Sequence, residues 1–105
     1  MRETAEIRLT TLGLAVKAGK TVFGTEMVCE ALKNKKVSAV IAASSVSENT
    51  AKRLSDRCAF YGVPLYFCSA DTAELGRAVG KGPTAAVAIC DASLAKAVTS
   101  TIRKS

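Results

Sequence analysis

The chain of 105 residues carries 15 lysines and arginines against nine acidic residues and contains no histidine, which gives a formal net charge of +6. Hydrophobic residues make up 49% of the sequence and aromatic residues only 5%, so the composition excludes a disordered protein and predicts one domain, residues 1–105, with a mainly aliphatic core. The lack of histidine excludes a catalytic triad and other histidine-based acid–base chemistry.

The first half of the chain predicts two helices and two strands. Apolar residues at helical spacing predict a helix over about residues 4–18, which ends at Gly19. Residues 21–23 are expected to be extended, and a second helix is expected to begin near Thr25. The nearly unbroken apolar run over 37–43 predicts a central strand.

The second half continues the alternation of helix and strand. The residues from Ser45 to Glu48 fit a capping box, and the helix behind them is expected to stop at Gly62 and Pro64. The later predicted elements are a strand over 65–68, a short helix capped by Ser69 and closed by Gly80, a loop over 81–84, a strand over 85–90, and a helix capped by Asp91 whose inner face includes Ile102. This order predicts an α/β sandwich of three or four strands between five helices.

The four cysteines and the lengths of the apolar segments indicate the compartment in which the protein is expected. Cys29, Cys58, Cys68 and Cys90 form no CxxC pair, so no metal site and no cofactor are expected. Their apolar neighbours favour buried thiols in a reducing cytosol, with a disulfide or a reactive thiol as the alternatives. Because no signal-peptide core and no run of membrane-spanning length occurs, we expect a cytoplasmic protein with no membrane partner.

No constellation of residues indicates an enzyme. The serines near residue 45 lack the context of a nucleophile elbow and resemble helix caps, and neither common glycine-rich nucleotide motif occurs. The scattered acids are best explained as solvated helix faces. The aromatic residues are expected mostly in the core, which disfavours a base-stacking platform; they are Phe23, Phe60, Tyr61, Tyr66 and Phe67.

A lysine-rich region around the second helix is the strongest sign of a binding function. Five lysines fall within twenty residues, namely Lys17, Lys20, Lys33, Lys35 and Lys36. The second helix starts at Gly24, whose following backbone N–H groups are open to an anion. If the end of the first helix and both ends of the second lie close together, these groups form one phosphate-binding surface, although a solvated charged rim is the alternative. We therefore predict RNA, recognised by shape, as the partner.

Several segments resemble one known family. They are LGLAVKAGK, GTEMV, SAVIAASSVSENT, YGVPLY, ELGRAVGK and PTAAVAI, and together they extend over about residues 7–98. The sequence resembles the ribosomal family of kink-turn RNA-binding proteins, and within it the small bacterial YlxQ-like members. The resemblance implies a three-layer α-β-α sandwich with a mixed four-stranded sheet. It also implies binding to a kink-turn, a sharply bent RNA helix with tandem sheared G·A pairs.

The resemblance assigns two RNA contacts. At the second-helix start Gly24, Thr25 and Val28 match the family, whereas Glu26, Met27 and Glu30 stand where its strongest kink-turn binders have asparagine, glutamate and lysine. The loop over 81–85, which holds Pro83, matches an apolar loop that cups a flipped-out base. The expected RNA-binding residues are Lys17, Lys20, Gly24, Thr25, Glu26, Met27, Lys33, Lys36, Ser44, Lys81, Gly82, Pro83 and Thr84.

Three hypotheses follow. The favoured one is a monomeric bacterial RNA-binding protein of the translation or ribosome-assembly machinery, which would bind structured RNA such as rRNA and have ribosomal or translation proteins as further partners. The second is a protein-interaction module with the same fold, in which Met27 would be an exposed apolar anchor. The third is an accessory domain that acts in trans for an RNA-modifying enzyme.

Overall fold

Helices and strands alternate along the chain in the computed structural model, which describes Thr4, Ile7 and residues 9–99. The described elements are α1 (Leu9–Lys17), β1 (Thr21–Phe23), α2 (Thr25–Lys33), β2 (Ala39–Ala42), α3 (Glu48–Tyr61), β3 (Leu65–Phe67), α4 (Thr72–Ala78), β4 (Ala86–Ile89) and α5 (Ala92–Thr99).

The four described strands form one mixed sheet in the order β1-β4-β2-β3. Strands β2 and β3 are parallel, and β4 is antiparallel to both β1 and β2. β2 and β4 occupy the centre and are buried along their whole length, which explains why both read as apolar runs in the sequence.

Helices cover both faces of the sheet. On one face α2 and α3 pack against each other, and Val28, Leu32 and Leu54 form a core with the sheet. On the other face α1 packs against α4 and α5, and Leu12, Leu75 and Val98 lie in the second core. The predicted three-layer α-β-α sandwich with a mixed four-stranded sheet is therefore confirmed.

The predicted boundaries differ from the observed ones at helix starts and strand ends. Thr4 and Ile7 lie outside the first helix, which begins at Leu9. The strands predicted over 37–43 and 85–90 are shorter by one or two residues at each end. Single backbone hydrogen bonds, such as the one from the Ala43 amide to the Ala85 carbonyl at 2.8 Å, continue the pairing just beyond them. Ile102 lies outside the described residues.

Two of the predicted helix caps are wrong. Ser47, and not Ser45, caps α3, because its hydroxyl accepts a hydrogen bond from the Thr50 amide at 3.2 Å. Asp71, and not Ser69, caps α4 and forms a reciprocal capping box with Glu74. The predicted cap Asp91 is confirmed, since its carboxylate accepts from the Leu94 amide at 3.0 Å.

Candidate functional site

The sheet has two ends, and the loops at each end define a separate surface. The pairing of Phe23 with Val87 and of Ala42 with Ala86 marks one end, called here the Phe23 end. The pairing of Thr21 and Ala39 with Ile89 marks the opposite one, called the Thr21 end. The start of α2 and the loop over 81–85 both lie at the Phe23 end.

The start of α2 leaves backbone donors open at the Phe23 end. Gly24 precedes the helix with φ 86° and ψ 150°, a conformation almost restricted to glycine. The Gly24 amide donates to the Ala86 carbonyl at 2.9 Å, which fixes the helix start beside the first residue of β4. No described side chain caps the helix, so the amides of residues 25–27 point outward without an acceptor among the described residues.

A shallow pocket of about 430 Å³ lies beside this helix start. It is lined by Phe23, Gly24 and the loop residues Lys81, Gly82, Pro83, Thr84 and Ala85. The Lys81 ammonium lies 4.9 Å from the centroid of the Phe23 ring, so a cation and an aromatic ring border the pocket together. The structure thus brings together the two contacts that the sequence resemblance assigned.

Thr84 stabilises the loop from inside. Its side chain is only 5% exposed, and its hydroxyl donates to the Gly82 carbonyl at 2.8 Å. Its amide donates to the Thr72 carbonyl at 3.0 Å, which ties the loop to the start of α4. Thr84 therefore shapes the pocket, and a direct contact of its hydroxyl with RNA stays a prediction.

Gly76 is a residue that sequence reasoning missed. The loop lies directly on α4 at this position, where the Lys81 amide donates to the Gly76 carbonyl at 2.8 Å. A Cβ atom on Gly76 would lie 2.1 Å from the Gly82 carbonyl oxygen, a distance that no side chain tolerates. A glycine inside a short predicted helix was the available signal, because it indicates a close backbone approach.

Glu26 forms an ion pair that sequence reasoning also missed. Both Glu26 carboxylate oxygens accept from the Arg53 guanidinium on α3, at 2.5 and 3.0 Å. The hydrogen bonds and charge of Arg53 hold the pKa of Glu26 below its usual value. The helix start therefore presents a paired carboxylate, and the repulsion that Glu26 would exert on a phosphate is offset by Arg53.

Ser44 supports the same end of the sheet. Its hydroxyl donates to the Ala70 carbonyl at 3.1 Å, and its amide donates to the same carbonyl at 2.9 Å. The neighbouring Ser45 hydroxyl accepts from the Thr72 amide at 3.0 Å. These bonds hold the loops after β2 and β3 together, so the pair of serines joins the loops rather than opening a helix.

The lysines lie elsewhere, which corrects one prediction. The end of the first helix and both ends of the second were expected to lie close together, which would bring the lysines to the open amides of α2. Lys17, Lys20, Lys33 and Lys36 all lie at the Thr21 end instead. The physical reason is that α2 runs back along the sheet from Thr25 and spans about 13 Å. The segments that follow α1 and α2 do lie close together, since Lys20 and Lys36 line one depression, whereas the start of α2 is at the other end of the sheet.

The cysteines and the helices give no sign of a redox, metal or membrane site within the described residues. Cys29, Cys58 and Cys68 are buried and Cys90 is half-buried, all as free thiols. Across residues 9–99 no cluster of cysteines and acids could hold a metal ion. In the same part of the chain, every helix is too short or too polar to cross a lipid bilayer.

The fold and the Phe23-end surface place the chain in a known class of three-layer α/β proteins. A model of the ribosomal protein L7Ae/L30e/S12e/Gadd45 family matches residues 9–99. The chain is 38% identical over 84 residues to the RNA-binding protein YlxQ of Bacillus subtilis, an alignment that covers 80% of this chain and 83% of the relative. It is 34% identical over 88 residues to the RNA-binding protein YlxQ of Enterococcus faecium, with 84% of each chain covered. The chain therefore belongs to the L7Ae/L30e/S12e/Gadd45 family.

Solved structures agree with this assignment. A Bacillus halodurans protein of unknown function superposes with a TM-score of 0.83 at 33% identity, covering 88% of this chain and 92% of the other. A 15.5 kD RNA-binding protein of Giardia lamblia superposes with a TM-score of 0.76 at 22% identity, covering 88% and 78%. At that identity the second likeness shows the fold alone.

Proposed function

We propose that this protein binds RNA, and that the Phe23 end of its sheet recognises a kink-turn or a similarly bent RNA. The observation that carries the proposal is the adjacency of two features: the open amides at the start of α2 and the pocket under the 81–85 loop. The relatives named RNA-binding protein support RNA as the class of partner.

Each feature suits one part of a bent RNA. The amides of residues 25–27 donate to phosphate or base acceptors without a charged side chain. The pocket beside Pro83 accepts one unstacked base, and the Phe23 ring and the Lys81 ammonium border it. Recognition then depends on the bend that places the base and the backbone at these two points together.

The test compares two RNAs of equal length, a kink-turn and a control in which the sheared G·A pairs become Watson–Crick pairs. Isothermal titration should give at least about tenfold tighter binding of the kink-turn. Lys81→Gln should weaken kink-turn binding about threefold or more, whereas Lys96→Gln on α5 removes the same charge elsewhere and should leave it unchanged. Equal affinity for both RNAs would sink the claim of kink-turn recognition.

A second candidate function uses the same end of the sheet for protein docking. Met27 is 58% exposed on the first turn of α2, as an apolar anchor for a partner requires. Under this alternative, Met27→Ala would weaken capture of a partner protein and the two RNAs would bind equally weakly.

Under the favoured proposal, the bound RNA belongs to the ribosome or to one of its assembly intermediates, and ribosomal or translation proteins are further partners of the chain.

A further inference from the structure

The Thr21 end of the sheet carries a second surface that the proposed function does not use. A shallow depression of about 570 Å³ lies between β1, the end of α2 and the residue after β4. Lys20, Lys35 and Lys36 line it together with Thr21, Ser38 and Cys90. Since this surface and the 81–85 loop are at opposite ends of the sheet, one ligand bound at the Phe23 end leaves it free.

This surface is positively charged, and among the described residues its lysines form no ion pair with an acid. The three lysines that line the depression are exposed. Two more exposed lysines, Lys17 and Lys33, are the last residues of α1 and α2, which end at this end of the sheet on its opposite faces. The described ion pair, Arg53 with Glu26, involves none of these lysines, and Glu26 lies in the first turn of α2 at the Phe23 end. Asp91, the acid next to Cys90, is engaged as the cap of α5. Burial raises the pKa of the Cys90 thiol, and the positive charges of Lys36 and Lys20, which line the same depression, oppose that rise.

An exposed phenylalanine, packed against a half-buried tyrosine, adjoins the lysines. A second depression of about 420 Å³ shares Lys35 and Val37 with the first and is lined by Phe60 and Tyr61 at the end of α3. Phe60 is 80% exposed, which corrects its predicted place in the core. Its ring meets Tyr61 edge to face, with centroids 4.9 Å apart and planes at 84°. The contact holds the ring at the rim of the lysine surface while most of it stays in solvent.

The backbone of Lys35 supports a role for its charge. Lys35 has φ 58°, the one non-glycine residue with positive φ in the described chain. Glycine or asparagine adopts this conformation at lower cost, and both are common after a helix. A lysine at the junction of the two depressions therefore adds a cation at a position where the fold itself favours a different residue.

We propose that the Thr21 end, from Lys20 through Lys35 to Phe60, binds single-stranded RNA. The lysines contact successive phosphates, and a base stacks on Phe60. An acidic protein segment could satisfy the lysines, but an exposed flat ring beside a cation favours a nucleobase over an aliphatic anchor. The inference is separate from the proposed function, because it concerns the opposite end of the sheet.

The experiment measures fluorescence anisotropy of a labelled short oligouridine over a salt series. Lys36→Gln and Lys35→Gly should each weaken binding about threefold and flatten the salt slope by about 0.7, whereas the matched control Lys96→Gln should change neither. Phe60→Ala should weaken binding about fivefold or more with the salt slope unchanged, because it removes stacking and no charge. Leu14→Ala, which removes another exposed apolar side chain on α1, is its control and should bind as the unmodified protein does.

The same variants measured with the kink-turn RNA separate the two proposals. Affinity for the kink-turn should change less than about twofold in Lys36→Gln and Phe60→Ala, and the Lys81→Gln variant should keep its affinity for oligouridine. If the unmodified protein binds oligouridine but does not bind the kink-turn, the proposed function alone is overturned. The inference about the Thr21 end is overturned if oligouridine fails to bind at low salt, if Phe60→Ala binds it normally, or if polyglutamate of equal length binds as tightly.

Discussion

Arg53 changes the charge that the start of α2 presents to a phosphate. Glu26 stands where the strongest kink-turn binders of the family are expected to have asparagine, and a free carboxylate there would repel RNA. The structure pairs that carboxylate with a guanidinium from α3, and the exposed pair lies at the edge of the site. Because the pair is solvent-exposed, its effect on folding is small, and its effect on an approaching polyanion is the larger one.

A double-mutant cycle tests this role. Arg53→Gln should weaken kink-turn binding about tenfold in the unmodified protein, since it leaves Glu26 uncompensated beside phosphate. In a Glu26→Gln background the same change should weaken binding about threefold or less, because no carboxylate is left to uncover. Titration calorimetry of the four proteins measures the coupling. Additive effects would contradict the pairing as the cause.

Lys35 gives a prediction about stability. Lys35→Gly should raise the free energy of unfolding by about 0.5 kcal/mol, because glycine adopts φ 58° without the cost that a Cβ imposes. Lys33→Gly at the end of α2 is the matched control and should lower it by about 0.5 kcal/mol, since glycine is a poor helix former. Urea denaturation compares the two, and a loss of stability in both would contradict the backbone argument.

At the scale of elements, the 81–85 loop depends on α4 for its position. The loop backbone rests on Gly76, and Thr84 ties it to the first residue of α4. The pocket is therefore shaped by a helix that contributes no side chain to its lining.

Gly76→Ala should displace this loop. The added Cβ would meet the Gly82 carbonyl oxygen at 2.1 Å, so the loop must move, with a loss of about 1 to 3 kcal/mol in stability and a weaker affinity for the kink-turn. Gly13→Ala on α1 is the control, because its Cβ would lie 3.4 Å from the Ala78 carbonyl oxygen and should be tolerated. Normal kink-turn binding by Gly76→Ala would show that the loop position does not matter.

At the scale of the whole molecule, the sequence predicts the helices and strands of the three layers better than it predicts which exposed side chains share a surface. The alternation of apolar runs such as 37–43 with helical patterns identified every described element, because burial determines both periodicity and fold. The sequence could not place Lys20 and Lys36, since proximity along the chain says nothing about which end of a sheet a loop occupies. The sequence analysis also placed Phe60 in the core. An apolar residue at the end of a helix fits the apolar pattern whether it is buried or exposed, so the pattern could not show that Phe60 is exposed.

The partners of the ion pair and of the loop contact could not be predicted from the sequence, for a related reason. Glu26 and Arg53 are 27 residues apart, and only the packing of α2 on α3 brings them together. The resemblance located the helix start and the loop, which matched residues can do, but it could not identify supporting residues on neighbouring helices such as Gly76.

The reactivity of the cysteine thiols reflects how well the two cores are buried. Burial raises the pKa of Cys58 to about 11, and Cys68 and Cys90 shift in the same direction. Since the thiolate is the reactive form, the native protein should react slowly with a thiol reagent at neutral pH, with the half-buried Cys90 first. A raised pKa in the folded state also means that stability falls as the pH rises above about 9, where the unfolded thiol ionises first.

Mass spectrometry of the labelled protein checks this order. Cys29, Cys58 and Cys68 should be modified together, at the rate of global unfolding, because they lie in the cores on both faces of the sheet. Fast modification of Cys58 in the native protein would contradict its burial.

The most direct test of the account maps RNA contacts by NMR on the ¹⁵N-labelled protein. On titration with a kink-turn, the amide signals of Thr25, Glu26, Met27 and Gly82 should shift together and saturate at one equivalent, while the Watson–Crick control RNA leaves them unchanged. Shifts confined to the Thr21 end around Lys20 and Lys36, or identical shifts with both RNAs, would contradict recognition of bent RNA by the α2 start and the 81–85 loop.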